Sequence, residues 1–566
     1  MEGSNHQYAA AGIIRRSKGL VAVEMKPTFI RAIFVSISLS AGSLAHAEII
    51  NHQILIGARD LPILAVDGSA RVVEGPFHGD VRLTGDVALY TPDLEQPGTD
   101  WVEIESDGIR HRIAIRVRQT FPEVHTSEDI GRGPIVAAGD LVLSVRRLAD
   151  LPSSSSSGRA PHAQSAVAIG SQVVIASVGV RDDAALFLIG DDGDMRDRLS
   201  ISALLADRLD LEVDVSSSMH GGLRGVAAHP AFASNGRLYL SVNTTAESDL
   251  PGPFLSPMAP DAAHVASLVE LTVSPAAFLE GRFEVSGARV VFQFGMGTQN
   301  HGIRQIAFNP YLGVGDEGYG DLFVSVGDNR FNDGSQDELP VRAPFGSVLR
   351  LDPIESIRAG READDLVFVR GLRNPHNLFF LPDGRLVIVD IGDDDFDEVN
   401  IARGGEDFGW PEREGPAQHI AGGGVRFTGE DHDFVEPAAF LSQPADEPDE
   451  RRLLALSGGG AIQLPDSDFG ILLANFTHGG EVFLVRGSDL AQTDADGRTG
   501  RVEQLTVGYD HDSRPDTTPW LTTSLTDLGD YLRSDARIHR LDDRRVLITM
   551  KSTTSVYVGE LVTYGD

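Results

Sequence analysis

The chain has 566 residues, of which 41% are apolar, with 61 glycines, 29 prolines and no cysteine. A formal net charge of -35 disfavours nucleic acid and anionic membrane surfaces as partners. The missing cysteines exclude disulfides, thiolate metal sites, cysteine nucleophiles and c-type haem attachment.

The N-terminus reads as an export signal. Met25-Lys26 opens a short basic region that includes Arg31, and an apolar run extends from Ala32 to Leu44. Ala45-His46-Ala47 places small residues at the two positions a signal peptidase reads. Residues 1–47 are therefore expected to be an upstream extension and signal peptide. The mature protein then starts at Glu48, in the periplasm or outside the cell. No later run is long enough to span a bilayer.

Residues 48–150 hold short alternating segments, among them Val81–Tyr90 and His111–Arg118. They predict strands with one wet face in a β-rich accessory domain. Leu151-Pro152 and the serine run 153–157 predict a flexible connection over 151–164. Beyond it a turn feeding an apolar strand recurs, in Gly170–Ser177, Gly236–Val242, Gly320–Asp328, Gly384–Asp390, Gly470–Asn475 and Arg545–Thr549. The copies start roughly 65 to 85 residues apart. Radially repeated antiparallel sheets account for that period. The predicted fold class is all-β, a six-bladed β-propeller over residues 165–560 with an additional N-terminal β-rich region. Insertions between blades, such as 243–264 and 436–456, are expected to line one face or the edge.

Three constellations carry chemistry. Asn300-His301-Gly302 stands just before a strand, where an imidazole can accept a proton near neutral pH or merely tie a turn. His220 and His376 are less specific candidates, and His229 reads as structural. Arg373-Asn374, fixed by Pro375, offers a donor fork and an amide to an anionic group; alternatively the arginine holds neighbouring carbonyls. Residues 390–398 hold six acids in nine positions, which suits calcium, although Asp397-Glu398 can equally tie the loop of Gly409-Trp410-Pro411. Glu481, Arg537, His539 and Arg540 cannot be assigned to one site from sequence. No Rossmann fingerprint, P-loop, H-E-x-x-H or G-x-S-x-G occurs, so nicotinamide, nucleotide, zinc-protease and serine-hydrolase chemistries lose support.

The order of several motifs resembles the soluble glucose and sorbosone dehydrogenase family, related to quinoprotein aldose dehydrogenases. They are Gly221–Gly236, His301-Gly302, Gly346–Pro353, Gly371–Pro375, Asp397–Asn400, Phe408–Pro411 and Glu414-Gly415. The resemblance implies an exported six-bladed propeller that oxidises a sugar, sugar aldehyde or related alcohol by hydride transfer to pyrroloquinoline quinone (PQQ). It implies PQQ and calcium as cofactors, with His301 as base and Arg373 and Asn374 beside the quinone. Asn300 stands next to the base where many relatives carry an acid. Gly392 and Asp393 fall where family carbonyls ligate calcium, and Asp397 and Glu398 join them as metal candidates. Ser534 and Ala536 occupy the places of a basic pair that grips the cofactor carboxylates. The expected partners are a small sugar or aldehyde and a respiratory electron acceptor, with oligomeric state left open. Two alternatives stand beside this reading: a non-catalytic, calcium-stabilised extracellular propeller binding a glycan or protein, and a metal-dependent lactonase.

Overall fold

A computed structural model describes residues 46–563 with interruptions, the longest at 119–135, 153–161, 246–252, 256–263, 330–342, 355–361, 443–454, 491–501 and 510–520. The expected signal peptide and the serine run therefore lie outside the described residues, apart from His46 and Ala47 at the start of a strand.

Six four-stranded antiparallel blades surround one axis. Their innermost strands are Ala163–Ile169, Leu223–Ala228, Ile303–Phe308, Pro375–Phe380, Leu456–Gln463 and Ala536–Arg540. Each touches the next around the ring, and the sixth returns to the first. All six copies of the sequence repeat are the second strands of these blades. A run such as Leu386–Asp390 is buried at every position, so its β-branched and apolar side chains face packed neighbours on both sides.

The core is distributed between blades. One apolar cluster joins blades one and two through Val174, Leu188, Leu240 and Val269. Further clusters join two to three through Phe292, Phe294 and Val324, and three to four through Val348, Leu378 and Ile388. Val389, Val399, Ile471 and Phe483 join four to five, and Leu472, Leu484, Ile538 and Ile548 join five to six. Val173, Phe187, Leu547 and Val558 close six onto one. Each blade thus buries both faces against its neighbours, and no blade can complete its core alone.

Closure has a feature the sequence reading missed. The outer strand of blade six is Val136–Asp150, which pairs antiparallel with Ser555–Thr563 and parallel with Val502–Tyr509 of blade five. The propeller therefore begins at Val136 rather than at 165, because its last sheet takes one strand from the N-terminal side. The segment 243–264 also differs from expectation. It joins two strands of blade two, with Thr245 opposite His264, instead of linking blades. The segment 436–456 does lead from blade four to blade five.

Residues 46–118 form two small sheets around Ile63, Tyr90, Val102, Ile104, Ile113 and Ile115. The expected alternating segment 81–90 is in fact a hairpin. Gly79–Thr84 pairs with Val87–Pro92, and Thr84 opposes Val87 across the Gly85-Asp86 dipeptide.

Leu143 is fully buried on the closing strand. Leu143→Ala is expected to cost about 2–5 kcal/mol, measured by denaturant unfolding. Val314→Ala, at a position 87% exposed, should change stability by less than about 0.5 kcal/mol.

Candidate active site at the channel mouth

Ring closure brings the loops entering the inner strands to one end of the channel. His301 precedes the inner strand of blade three, and Arg373-Asn374 precede that of blade four. His301 takes a left-handed backbone conformation, φ 47°, unusual for a residue with a side chain. Gly327 lies against it: a Cβ there would stand 2.6 Å from the His301 carbonyl oxygen, so the close approach requires glycine.

His301 Nδ1 lies 2.8 Å from Asp328 Oδ1. The carboxylate can only accept, so Nδ1 carries the proton and Nε2 keeps its lone pair. Asp328 is fully buried, accepts Trp410 Nε1–H at 3.0 Å, and its own N–H donates to the Arg373 carbonyl at 2.7 Å. Burial drives the His301 imidazole down to about 4; the Asp328 hydrogen bond opposes this and the Arg373 charge adds to it. The ring is therefore neutral and able to accept a proton across the physiological range.

Asp390 fixes the neighbouring loop. Its two oxygens accept the backbone N–H groups of Arg373 (2.9 Å) and Asn374 (2.7 Å). Burial, then the Glu398 charge, push the Asp390 carboxyl well above its usual range. Asn374 is 5% exposed and its Oδ1 has no hydrogen-bond partner, so it can accept from a ligand at the mouth. Asn300 is held by its backbone, its N–H donating to Thr298 Oγ1 and its carbonyl accepting from Asn329 Nδ2, each at 2.8 Å.

Arg373 holds neighbouring groups, as its second sequence reading had it. Nη1 donates to Gly392 O at 2.6 Å, Nη2 donates to Asp393 Oδ1 at 2.5 Å, and the guanidinium lies 5.6 Å from the centre of the Trp410 ring. The acidic turn likewise ties loops. Asp397 accepts Gly392 N–H at 3.1 Å and Leu456 N–H at 2.7 Å. Glu398 accepts Gly415 N–H at 2.5 Å and Asn400 Nδ2–H at 2.7 Å, and burial first of all raises its carboxyl to about 7. Among the described residues no three His, Asp or Glu side chains gather as a metal-holding group. Asp394 and Asp395 lie outside the described residues.

The other candidates separate. His229 is structural as expected, its Nδ1 accepting Ala231 N–H at 2.9 Å. His220 lies outside the described residues. Glu481 accepts from Asn475 Nδ2 at 2.6 Å, and Arg540 donates to Asp543 at 2.7 Å. His539 is buried, and burial followed by the Arg537 charge brings it down to about 3. Arg537, unplaced by sequence, reaches the channel, with Nη2 3.4 Å from His376 Nε2. His376 Nδ1 donates to Ser457 O at 3.0 Å, so Nε2 is its acceptor nitrogen. Sequence reasoning also passed over Asp328 and Trp410 as functional groups, and took Asp390 only as one acid of the segment 390–398 rather than as the group that fixes the Arg373-Asn374 loop. Asp328 and Asp390 end strands of the repeat, and that shared position was the available signal.

The molecule is thus a six-bladed propeller with a histidine–aspartate pair and an arginine–asparagine loop at one end of its channel. Residues 178–446 match the family described as Glucose / Sorbosone dehydrogenase. A curated relative, the HIPL1 protein of Arabidopsis thaliana, is 25% identical over 259 residues, 36% of this chain. The match spans 35% of that relative's length. The PQQ-bound aldose sugar dehydrogenase of Streptomyces coelicolor aligns with a TM-score of 0.45 and 18% identity, over 74% of this chain and 98% of its own. The Trypanosoma rangeli sialidase in complex with sialic acid aligns at 0.33 and 11%, over 75% and 59%.

His301 gives a pH signature. Its folded value of about 4 lies below the ordinary 6.5, so the unfolded chain takes up the proton first. The stability due to neutral His301 is complete above about pH 6.5 and is lost as pH falls towards 4. His301→Gln should flatten that part of the stability–pH curve, by roughly 3 kcal/mol at most, in urea melts of both proteins between pH 4 and 7.

Proposed function

We propose that this chain is an exported dehydrogenase that oxidises a sugar, sugar aldehyde or related alcohol, with PQQ as hydride acceptor at the channel mouth. The observation that carries the reading is the buried His301–Asp328 pair, 2.8 Å apart and next to Arg373. The match of residues 178–446 to the glucose/sorbosone dehydrogenase family supports the reaction class.

His301 Nε2 accepts the proton of the substrate hydroxyl. The developing imidazolium is stabilised through Nδ1–H by Asp328, whose second oxygen is occupied by Trp410 and so cannot turn away. Asn374 Oδ1 accepts an O–H or N–H of the bound molecules, and the Arg373 charge beside it favours an anionic oxygen. These residues fit the quinone edge of PQQ, which when bound supplies the two-electron acceptor for the substrate hydride. Calcium fits less well at Gly392, Asp393, Asp397 and Glu398, since Arg373 and backbone N–H groups already occupy these acceptors. No step is assigned to a metal. Export to the periplasm or the medium, and onward transfer to a respiratory acceptor, complete the proposal. No helix of the described residues is long and apolar enough to cross a membrane.

A second reading, a non-catalytic propeller that binds a glycan or protein, is favoured by the late blades. Ser534 donates to Asn475 O at 2.7 Å and Ala536 offers only its backbone, so the family's basic grip is missing at those positions.

Dye reduction by protein supplied with PQQ and calcium, against a panel of aldoses and aldehydes, separates the two. The dehydrogenase reading expects substrate-dependent reduction that falls about 100- to 10,000-fold in His301→Ala while the melting curve stays cooperative. Undiminished reduction in that variant removes His301 from the mechanism. No reduction with any substrate favours the binding module.

A further inference from the structure

One layer of the channel is built from the second residue of each inner strand. Going round the blades these are Gln164, Arg224, Arg304, His376, Ser457 and Arg537. Five of the six line a common cavity of about 10 Å³, room for one water-sized group. The sixth, Ser457, enters through its carbonyl, which accepts from His376. The layer lies just inside the mouth, because His301 comes three positions before Arg304 and Asn374 two before His376.

Three guanidinium groups in one buried layer are electrostatically costly. Arg224, Arg304 and Arg537 are each only 4–5% exposed. Burial first, then the charges of Arg304 and Arg537, hold Arg224 well below the usual arginine range. Burial and Arg537 bring Arg304 down to about 9. His376 does not offset this charge, since burial and the same arginines keep its ring neutral. An independent feature points the same way. Gln164 is 3% exposed, lines the cavity, and its Nε2 donor has no hydrogen-bond partner. Buried donors of this kind call for an acceptor.

We propose that this layer is a binding site for a small monovalent anion of chloride size, held by Arg224, Arg304, Arg537 and the Gln164 amide. Room for one water-sized group suits a monatomic anion better than a polyatomic one. The donor set, three guanidinium forks and one amide N–H, is suited to a negative charge without directional lone pairs. The site ties together the inner strands of blades one, two, three and six, so its occupant stabilises the closed ring. It does not depend on the dehydrogenase reading.

The test is thermal unfolding of the whole protein in sodium chloride or sodium bromide, replaced stepwise by sodium gluconate at constant ionic strength. Wild type should gain melting temperature saturably with either halide. Arg537→Met should weaken the apparent halide affinity about tenfold or more. Gln164→Leu should weaken the affinity while leaving all three charges. A melting temperature independent of halide in wild type overturns the proposal, as does a full halide response in both variants. Should Arg537→Met fail to fold, bromide-soaked crystals of the wild type decide. An anomalous peak among the three guanidinium groups supports the site, and its absence there overturns it.

Discussion

The pairing of Leu141–Asp150 with Ser555–Thr563 turns a row of sheets into a ring. Without that strand blade six would present the open edge of Ser555–Thr563, and edges are both unstable and adhesive. Closure also decides what meets at the axis. Six inner strands converge there, and side chains far apart in sequence, such as Arg224 and Arg537, come to line one cavity. The apolar residues lie between the blades, where each sheet face is covered twice. The polar residues lie along the axis, where the strands crowd but cannot pack face to face.

The same geometry explains the electrostatics. Groups at the axis lose water without gaining an apolar environment, so their charge states follow burial first and then their neighbours. His301 is kept neutral by burial while Asp328 orients it, an arrangement ready to take up a proton. His376 is also kept neutral first by burial, with the Arg537 and Arg304 charges adding to it and its hydrogen bond to the Ser457 carbonyl opposing it, and it serves as a spacer in the positive layer. Two histidines in one channel thus have different chemistry, set by whether a carboxylate or an arginine stands opposite.

Much of the fold was legible because the second strands of the blades are buried on both faces and must be apolar. Runs such as Leu322–Val326 and Leu386–Asp390 announce themselves without partners. The closing strand does not, because its membership in blade six depends on a pairing across about 400 residues of chain, with nothing local to signal it. The site was legible in part. His301 and Arg373-Asn374 stand out as polar groups at strand entries, and the structure does bring them to one end of the channel. Asp397 and Glu398 illustrate the limit. Clustered carboxylates in sequence suggest a cation, yet here backbone N–H groups from Gly392, Leu456 and Gly415 satisfy them. The arginine layer was hidden for the opposite reason. Each arginine looks ordinary alone, and only the common register of the inner strands makes them a group.

The central claim is that the mouth of this channel holds a quinone against His301. Calorimetric titration of PQQ into the purified protein, residues 48–566, tests it most directly. The account predicts saturable binding at one site, abolished by Arg373→Ala in a protein that still melts cooperatively. Folded wild-type protein that binds no PQQ, with calcium present throughout, would contradict it.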